Sequence, residues 1–425
     1  MLPANRFSGL PVTACKNKIQ RGHVLCRWKT CGITLKKSNR NRIMSYILKH
    51  FDNELIKFSM TSGGIKGLSA EIVEINEKYK SFFPIDLELT DKGLLQWLKK
   101  RIIPKNRAFV QTFLAKLGLN VNDAKGIIDI CKGLSLNDCY WVTDDSFSGT
   151  FDEYNLYDNR FDRTLSLIAY TGYGDTQKSE FASSPELTTH GMLPKCWRRM
   201  KDGRIILFKS GSGGAANAGN EPYSEYYAFQ IAEAMELNAV QYNLNQWKKR
   251  LCSTCELFTG KKLSYIPAGR IVTEGGWAAV IEYYKMLGKK FYDSLADMLI
   301  FDAVICNEDR HFGNFGLIID NKTNTITDTA PIFDNGLALF NYAMNDDVNQ
   351  LDTYAETRLM ATSHDFLTFS KEIITKRQKS RLQKLINFKF KKHKSYNLPA
   401  SRLKHIEKFV QKRVHELLSI PVVSD

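Results

Sequence analysis

The sequence predicts an α+β fold made of two lobes with a cleft between them. Three observations lead to this prediction. Strand-like segments joined by turns occupy residues 195–267, one helical segment interrupts them, and the chain from about residue 280 is mostly helical in pattern. Strands and helices in separate runs are typical of α+β domains, and ligands often bind where two such parts meet.

Size and composition exclude several classes of protein. The chain has 425 residues, 43% of them apolar, so it can build two or three domains with their own cores. No run approaches the ~18 uninterrupted apolar residues of a membrane span, and the basic start lacks the apolar segment of a secretory signal. The nine cysteines are scattered, which favours a reducing cytosol. We therefore expect a globular, cytoplasmic protein without membrane contact.

The positive charge lies at the two ends of the chain. Of the net charge of +15, residues 1–43 contribute +10 and residues 371–425 contribute +11, which leaves residues 44–370 at −6. Either end could contact nucleic acid, but blocks of charge usually face solvent. We interpret 371–425 as helices with solvated Lys/Arg faces. Residues 1–43 are interpreted as a disordered leader or an artefact of start-site choice, because structured-looking sequence begins at Met44.

Residues 44–165, here named the accessory region, have a mixed pattern. The stretch "LLQWLKKRIIPKNRAFVQTFLAKLGL" predicts two helices broken at Pro104, since proline lacks the backbone donor of a helix interior. The stretch "NVNDAKGIIDICKGL" predicts another helix, capped by Asn122 or Asp123. The segment that follows, "SLNDCYWVTDDSFSGTFDEYNLYDNRF", is aromatic and rich in turn residues, and it shows no helical period.

Residues 166–260, here named the N-lobe, carry the strands. "CWRRM" and "RIILFKS" flank an Asp-Gly turn and predict a hairpin that ends near Lys209. A glycine-rich loop, "GSGGAANAGN", leads into the helix "PYSEYYAFQIAEAMEL", where Pro222 suits the first turn. "AVQYNLNQW" and "RLCSTCELF" supply further strands, and so does "SYIPAGRIV" just beyond residue 260.

Residues 261–425, here named the C-lobe, contain the most unusual loop of the sequence. A buried helix, "FYDSLADMLIFDAVIC", is followed by "NEDRHFGNFG", which crowds an acid, two cations and an amide into ten residues. "FGLIID" then predicts a strand and "NKTNT" a turn. "DTAPIFDNG" predicts a second strand that ends on another acid, Asp334.

These polar groups match the needs of phosphoryl transfer. The reaction uses an acid to accept a hydroxyl proton, oxygen ligands for Mg²⁺ and cations near the phosphates. Asp309 and Asn314 have the D-x-x-x-x-N spacing of a protein-kinase catalytic loop, and Asp334 in "DNG" stands in the place of the metal-binding D-F-G acid. Lys209 lies on a strand, and Glu225 follows on a helix that could supply its ion-pair partner.

The same segments resemble the HipA family of bacterial serine/threonine kinases. The stretches that carry the resemblance are "NEDRHFGNFG", "PIFDNG", "LFKS" and "TTHGMLPK", and it covers about residues 166–390. The resemblance implies a bilobal protein-kinase-like fold that uses ATP and Mg²⁺. It implies Asp309 as catalytic base, Asn314 and Asp334 as metal ligands, and Lys209 and His311 as contacts of the nucleotide.

Further roles are likewise implied by the resemblance. The hinge between the lobes would hold adenine through backbone groups near Glu256 and Phe258. The family loop S-x-x-G-x-x-x-K, which lies beside the phosphates, matches Thr188, Gly191 and Lys195. Family members can phosphorylate the serine of this loop themselves, and here threonine stands in its place. The glycine-rich loop after Lys209 either covers the phosphates or is a flexible connection.

Three functions from different classes therefore remain open. The first is a protein Ser/Thr kinase, with a toxin-like role and an antitoxin-type DNA-binding partner as the family would imply. The second is a lipid or small-molecule kinase, because D-R-H-x-x-N also occurs in phosphatidylinositol kinases. The third is an inactive module that binds DNA or protein. The intact set of Lys209, Asp309, Asn314 and Asp334 favours an active kinase over the third function.

Overall fold

The protein is described by a computed structural model that covers residues 44–63, 67–173 and 191–423. All of these residues belong to one compact unit, residues 40–425. Within these ranges, every helix is too short or too polar to cross a bilayer. The predicted threonine site at Thr188 and the leader 1–43 lie outside the described residues.

The accessory region forms an antiparallel sheet covered by helices. Its strands are β1 (Ser45–His50), β2 (Asn53–Gly63), β3 (Gly67–Ile75) and β4 (Tyr140–Asp144). They pair in the order β3-β2-β1-β4. The helices are a 3₁₀ turn (Glu77–Phe82), α1 (Asp91–Lys99), α2 (Val110–Lys116), α3 (Ala124–Cys131), α4 (Phe151–Tyr154) and α5 (Arg163–Thr171).

Local chemistry explains where these helices begin. The Thr90 hydroxyl accepts a hydrogen bond from the N–H of Gly93 at 3.0 Å, which caps α1. Asp123, one of the two predicted caps, accepts from the N–H of Gly126 at 2.9 Å and starts α3. Pro104 lies between α1 and α2, as predicted. The aromatic segment without helical period contains β4 and the single-turn helix α4, which is too short to show a period.

The N-lobe is a second antiparallel sheet with one helix. It consists of β5 (Lys195–Arg199), β6 (Ile205–Ser210), α6 (Glu221–Ala234), β7 (Tyr242–Trp247) and β8 (Arg250–Glu256). The strands pair in the order β5-β6-β8-β7. The register sets Lys195 of β5 opposite Lys209 of β6, and Lys209 opposite Ser253 of β8.

The C-lobe contains a small sheet and most of the helices. The sheet has the order β11-β10-β9, with β9 (Leu263–Pro267), β10 (Gly316–Asp320) and β11 (Thr325–Thr329). The helices are α7 (Ala268–Ile271), α8 (Gly276–Leu287), α9 (Lys289–Ile305), α10 (Asn345–Val348), α11 (Leu351–Glu356), α12 (Phe366–Ser370), α13 (Lys376–Gln383) and α14 (Ala400–Ser419). The second half of α9 is buried throughout and forms the centre of the C-lobe core.

One predicted strand is wrong. The prediction placed it over "DTAPIFDNG", but β11 ends at Thr329. The chain then leaves the sheet, and Ile332 makes a parallel bridge with Ala239 of the N-lobe. Asp334 follows with a φ of 57°, a left-handed conformation that cannot continue a strand. The acid therefore lies on an irregular segment between the lobes.

The accessory region packs directly on the N-lobe sheet. Phe113 of α2 and Leu165 of α5 share one core cluster with Phe208 of β6. Trp141 of β4 shares a second cluster with Ile205 of β6. Helix α5 also crosses the predicted boundary at residue 165, so the division into accessory region and N-lobe is a convenience of naming rather than a gap in packing.

Candidate active site

Lys209 lies at the centre of the polar site. Its ammonium group donates a hydrogen bond to Glu225 Oε1 at 2.9 Å and another to the Asp334 carboxylate. Glu225 is fully buried on α6, and Lys209 is 9% exposed on β6. The structure thus joins a strand lysine and a helix glutamate, 16 positions apart, to an acid of the C-lobe that lies 125 positions after the lysine.

Electrostatics fixes the charge of this trio. Burial alone would lower the pKa of the Lys209 ammonium, but the Asp334 and Glu225 carboxylates outweigh it and raise that pKa above its ordinary value. Burial opposes ionisation of Asp334, yet Lys209 and Lys195 lower its pKa to about 2. Burial raises the pKa of Glu225, against the effect of Lys209. Lys209 and Asp334 are therefore charged over the whole physiological range.

Backbone groups hold Asp334 in its unusual conformation. The N–H of Asp334 donates to the hydroxyl of Tyr242 at 3.0 Å, and the N–H of Asn335 donates to Glu225 Oε2 at 2.9 Å. Glu225 therefore contacts both the lysine and the segment that carries the acid. Tyr242 was not predicted, because nothing in the local sequence of β7 indicates that its hydroxyl reaches Asp334.

Asp309 and Asn314 share the loop between α9 and β10. The Asn314 Nδ2 group donates to the backbone carbonyl of Asp309 at 2.9 Å, and among the described residues no hydrogen bond engages the amide oxygen Oδ1. Burial, and then the nearby Asp334 carboxylate, raise the pKa of Asp309. A half-buried carboxyl with a raised pKa is a suitable proton acceptor in a cleft.

Arg310 is buried beneath the loop and does not face the cleft. It is 1% exposed, and its guanidinium group binds both carboxylate oxygens of Asp302 at 2.9 and 3.0 Å. It also donates to the carbonyl of Asn314 at 3.0 Å and to Asn335 Oδ1 at 2.6 Å. Arg310 thus ties the Asp309 loop to the Asp334 segment, and it is too deeply buried to be the cation expected near a phosphate.

His311 occupies the exposed tip of the same loop. The ring atom Nδ1 of His311 accepts a hydrogen bond from the backbone N–H of Gly313 at 3.0 Å. The backbone N–H of His311 donates to the Asp309 carbonyl at 2.8 Å. These bonds shape the turn. The ring lies at the surface of the loop that carries Asp309.

Gly191 and Lys195 come together next to the trio. Gly191 has a φ of 96°, and a Cβ at this position would lie 2.6 Å from the Lys195 ammonium. Lys195 is 3% exposed, lies opposite Lys209 on the neighbouring strand, and helps to lower the pKa of Asp334. Two buried ammonium groups therefore approach the same carboxylate from adjacent strands.

The predicted hinge residues lie at the end of β8. Glu256 is the last residue of that strand and is exposed, and Phe258 follows two residues later. The Phe258 ring packs against Tyr265 and Phe333, with centroid distances of 5.6 Å for each pair. Phe333 precedes Asp334, so this aromatic group connects the end of β8 to the segment that bears the acid.

The glycine-rich loop after β6 is held by defined contacts. The N–H of Ser212 donates to Glu221 Oε2 at 3.2 Å, and the Tyr342 hydroxyl donates to Glu221 Oε1 at 3.0 Å. Asn217 Nδ2 donates to the Tyr342 carbonyl at 2.7 Å. The loop is therefore attached to the C-lobe chain that follows Asp334, which favours a positioned loop over a flexible connection.

The donor set fits a magnesium–nucleotide complex. Asp334 offers a carboxylate that stays ionised, and Asn314 offers an amide oxygen, and both are ligand types that Mg²⁺ prefers. Among the described residues there is no group of three or more His, Cys, Asp or Glu side chains able to enclose a metal. Such a site suits an ion that takes its remaining ligands from phosphates and water.

Comparison with known proteins identifies the fold. No protein-family model matches the sequence, and no curated protein matches it. Among solved structures, the proinflammatory kinase CtkA of Helicobacter pylori is similar with a TM-score of 0.41 and 16% identity, over 53% of this chain and 92% of that chain. The HipA–HipB toxin–antitoxin system of Shewanella oneidensis MR-1, solved with its operator DNA, gives a TM-score of 0.51 and 10% identity, over 89% of this chain and 100% of that chain. The chain has a HipA-like kinase fold.

The HipA-like fold extends further along the chain than the sequence resemblance. That resemblance covered about residues 166–390, whereas a likeness over 89% of the chain must also include part of the accessory region. The predicted α+β, bilobal, kinase-like fold is confirmed. The sequence motifs and the fold therefore give different extents, because the motifs mark only the part of the chain around the site.

Proposed function

We propose that this protein is an ATP-dependent protein serine/threonine kinase. The observation that carries the proposal is the bridge in which Lys209 contacts Glu225 of α6 and Asp334 of the C-lobe at once. A strand lysine held by a helix glutamate and set beside a metal-binding acid is the arrangement that positions ATP phosphates in kinases.

Each residue of the site takes one task in this proposal. Asp309 accepts the proton of the substrate hydroxyl, since its carboxyl has a raised pKa and lies near Asp334. Asn314 and Asp334 would hold Mg²⁺, which supplies neutralisation of charge on the phosphates when bound. Lys209 orients the phosphates, and Glu225 keeps the Lys209 ammonium in place.

The remaining predicted residues border the nucleotide in this proposal. Lys195 supplies a second ammonium near the phosphates, and Gly191 gives its side chain room to lie there. Backbone groups near Glu256 and Phe258 bind adenine, and His311 borders the nucleotide from the loop tip. Thr188 is proposed as a site of self-phosphorylation.

The biological setting is also a proposal. The structural neighbour from Shewanella oneidensis was solved as a HipA–HipB complex with operator DNA. By analogy, an antitoxin-type DNA-binding protein is a candidate partner of this chain, and a toxin-like role in a bacterial cytoplasm would follow. We also propose that the accessory region, the N-lobe and the C-lobe are the functional divisions of the chain.

A labelling experiment tests the activity. The purified chain is incubated with Mg²⁺ and γ-labelled ATP, alone and with cell extract, next to Asp309→Ala and Asp334→Ala variants. An Asp346→Ala variant is the control, because Asp346 is an exposed acid of α10 in the same lobe. We expect label on protein with the wild type and the control, and none with the two site variants.

The other outcomes distinguish the alternative functions. Label in the lipid fraction would support a phosphatidylinositol-kinase-like activity instead. Absence of label in every fraction, together with retention on a nucleic-acid or protein column, would support an inactive binding module. Label that persists in both site variants would show that the proposed residues do not carry the reaction.

A further inference from the structure

The side of α6 away from Lys209 is bound by a loop near the end of the chain. This loop, Phe388–Asn397, lies between α13 and α14 and is here named the brace. Gln230 of α6 donates from Nε2 to the Lys391 carbonyl at 3.0 Å, and its Oε1 accepts from the Lys391 N–H at 2.7 Å. Gln230 is 7% exposed, so both bonds are shielded from water.

Aromatic contacts extend this junction along α6. The Tyr227 hydroxyl donates to Asn397 Oδ1 at 3.1 Å, and the Tyr227 ring meets Phe390 edge-on at 4.9 Å. The Tyr226 ring meets His393 at 5.6 Å. Tyr226, Tyr227 and Gln230, which is one turn further along α6, thus contact the brace between Phe390 and Asn397.

The brace is itself fixed to the C-terminal helix. The N–H of Phe390 donates to Glu407 of α14 at 2.9 Å. Just before the brace, the N–H of Asn387 donates to Gln411 of α14, also at 2.9 Å. Arg413 of α14 in turn donates to the carbonyl of Ala303 in the core helix α9 at 3.1 Å. Helix α6 is therefore attached to the centre of the C-lobe through the brace.

A shift of α6 would move Glu225 away from Lys209 and Asn335. Gln230 lies five residues after Glu225, which is about 7.5 Å along a helix axis. Glu225 accepts hydrogen bonds from the Lys209 ammonium and from the N–H of Asn335. Because a short helix moves as a rigid body, losing the brace would loosen both contacts.

We propose that the brace positions α6, so that Gln230 and Tyr227 act as positioning residues for the Lys209–Glu225 pair. The inference rests on the proposed kinase function for its meaning, but its structural content can be measured without nucleotide. The brace acts through its backbone and rings. Its lysines Lys389, Lys391, Lys392 and Lys394 are exposed and form no ion pair with any residue of the described chain.

Hydrogen exchange of the Asn335 amide reports on Glu225 and provides the test. In the nucleotide-free chain, Gln230→Leu should increase exchange of this amide by roughly tenfold, since two shielded hydrogen bonds are lost. Tyr227→Phe removes only the bond to Asn397 and should give a smaller increase. In the kinase assay, Gln230→Leu should raise KM for MgATP and lower kcat, whereas the melting temperature should fall no more than in the Asn321→Leu control.

The controls separate positioning from general loosening. Asn321 is a buried amide that follows β10 and bonds Ser264 and the carbonyls of Gly260 and Lys261. None of these partners belongs to α6 or the brace, so Asn321→Leu should leave the exchange of Asn335 near the wild-type rate. Lys391→Gln with Lys392→Gln should also leave it unchanged. Unaltered exchange in Gln230→Leu, or an equal increase in Asn321→Leu, would overturn the proposal. A wild type without transfer activity would refute the kinase function and leave the exchange result standing.

Discussion

Asp309 is the residue whose charge should set the acid side of the pH profile. Burial, and then Asp334, raise its pKa above the ordinary aspartate value of about 3.9. A base acts only when ionised, so kcat/KM should fall as the pH drops through this raised pKa, by about tenfold per pH unit. Steady-state kinetics between pH 4 and 8 would measure it, with circular dichroism to show that the fold persists.

Two neighbouring acids provide the controls for that profile. The pKa of Asp334 is lowered to about 2, so its ion pair with Lys209 remains formed throughout the measured range. Burial also raises the pKa of Glu225, which makes Glu225→Gln the informative variant. If the acid limb disappears in Glu225→Gln, Glu225 and not Asp309 is the group that titrates.

Arg310 should matter for stability more than any other residue of its loop. Its guanidinium group forms a buried ion pair with Asp302, whose side chain is fully buried. Removing one partner of such a pair typically costs about 3–5 kcal/mol of unfolding free energy. We expect Arg310→Gln to fall in this range by urea denaturation. Arg204→Gln, which breaks an exposed pair with Asp202, should leave the denaturation midpoint unchanged, and a similar midpoint for both variants would contradict the structural role of Arg310.

At the residue scale, the sequence predicts chemistry that is local and misses chemistry that is not. Asp309 and Asn314 could be found because their spacing lies within one loop, and Lys209 and Asp334 because each follows a recognisable apolar strand or segment. Tyr242 and Gln230 could not be found, since their partners are about 92 and 161 positions away. No local pattern distinguishes them from ordinary polar residues.

Among the elements, the pairing of β9 with β10 determines the position of the loop that carries Asp309 and Asn314. Gly316 begins β10 opposite Pro267, two residues after Asn314. A Cβ at Gly316 would lie 2.0 Å from the Ile266 carbonyl oxygen, a contact with backbone that no side-chain rotation relieves. We expect Gly316→Ala to destabilise the protein by about 1–3 kcal/mol and to lower kcat, as measured by thermal denaturation and the transfer assay.

Gly260 is the matched control for Gly316→Ala. It lies before β9, and a Cβ there would meet no atom within 4 Å. Gly260→Ala should keep the wild-type melting temperature and rate. Equal melting temperatures for the two variants would show that the β9–β10 contact yields easily and does not determine the position of Asn314.

The spacing of apolar residues was sufficient to predict some helices and strands but not others. Helix α9 and strand β10 were predicted because each is an apolar run that ends at polar or turn residues. The strand predicted through Asp334 was wrong because its apolar residues serve a different contact. Ile332 bridges to Ala239 on another part of the chain, which a period of two cannot reveal.

On the scale of the whole molecule, the leader 1–43 should be dispensable for phosphate transfer. Every residue assigned to the proposed site lies between positions 188 and 334. Deletion of residues 1–43 should therefore leave the labelling rate unchanged in the assay with γ-labelled ATP. Loss of labelling in a deletion variant with an unchanged melting temperature would assign the leader a part in the reaction.

The accessory region and the N-lobe should unfold together. Phe113 of α2 is 3% exposed and packs in one cluster with Phe208 of β6, the strand that also carries Lys209. Truncating a buried phenylalanine to alanine typically costs about 3–5 kcal/mol through lost burial and the cavity left behind. Phe113→Ala should therefore lower the stability of the Lys209 strand, although Phe113 lies far from the proposed site in sequence.

Urea denaturation followed by two probes tests this coupling. In protein labelled with fluorotryptophan, the fluorine NMR signals of Trp97 and Trp141 report on the accessory region, and residual transfer activity reports on the site. In the wild type and in Phe113→Ala both probes should give the same midpoint, and the variant midpoint should be lower for both. The control Val73→Ala, at a position 69% exposed on β3, should leave both midpoints unchanged. If the two tryptophan signals change at lower urea than activity does, the accessory region unfolds by itself, and the shared clusters do not join it to the kinase lobes.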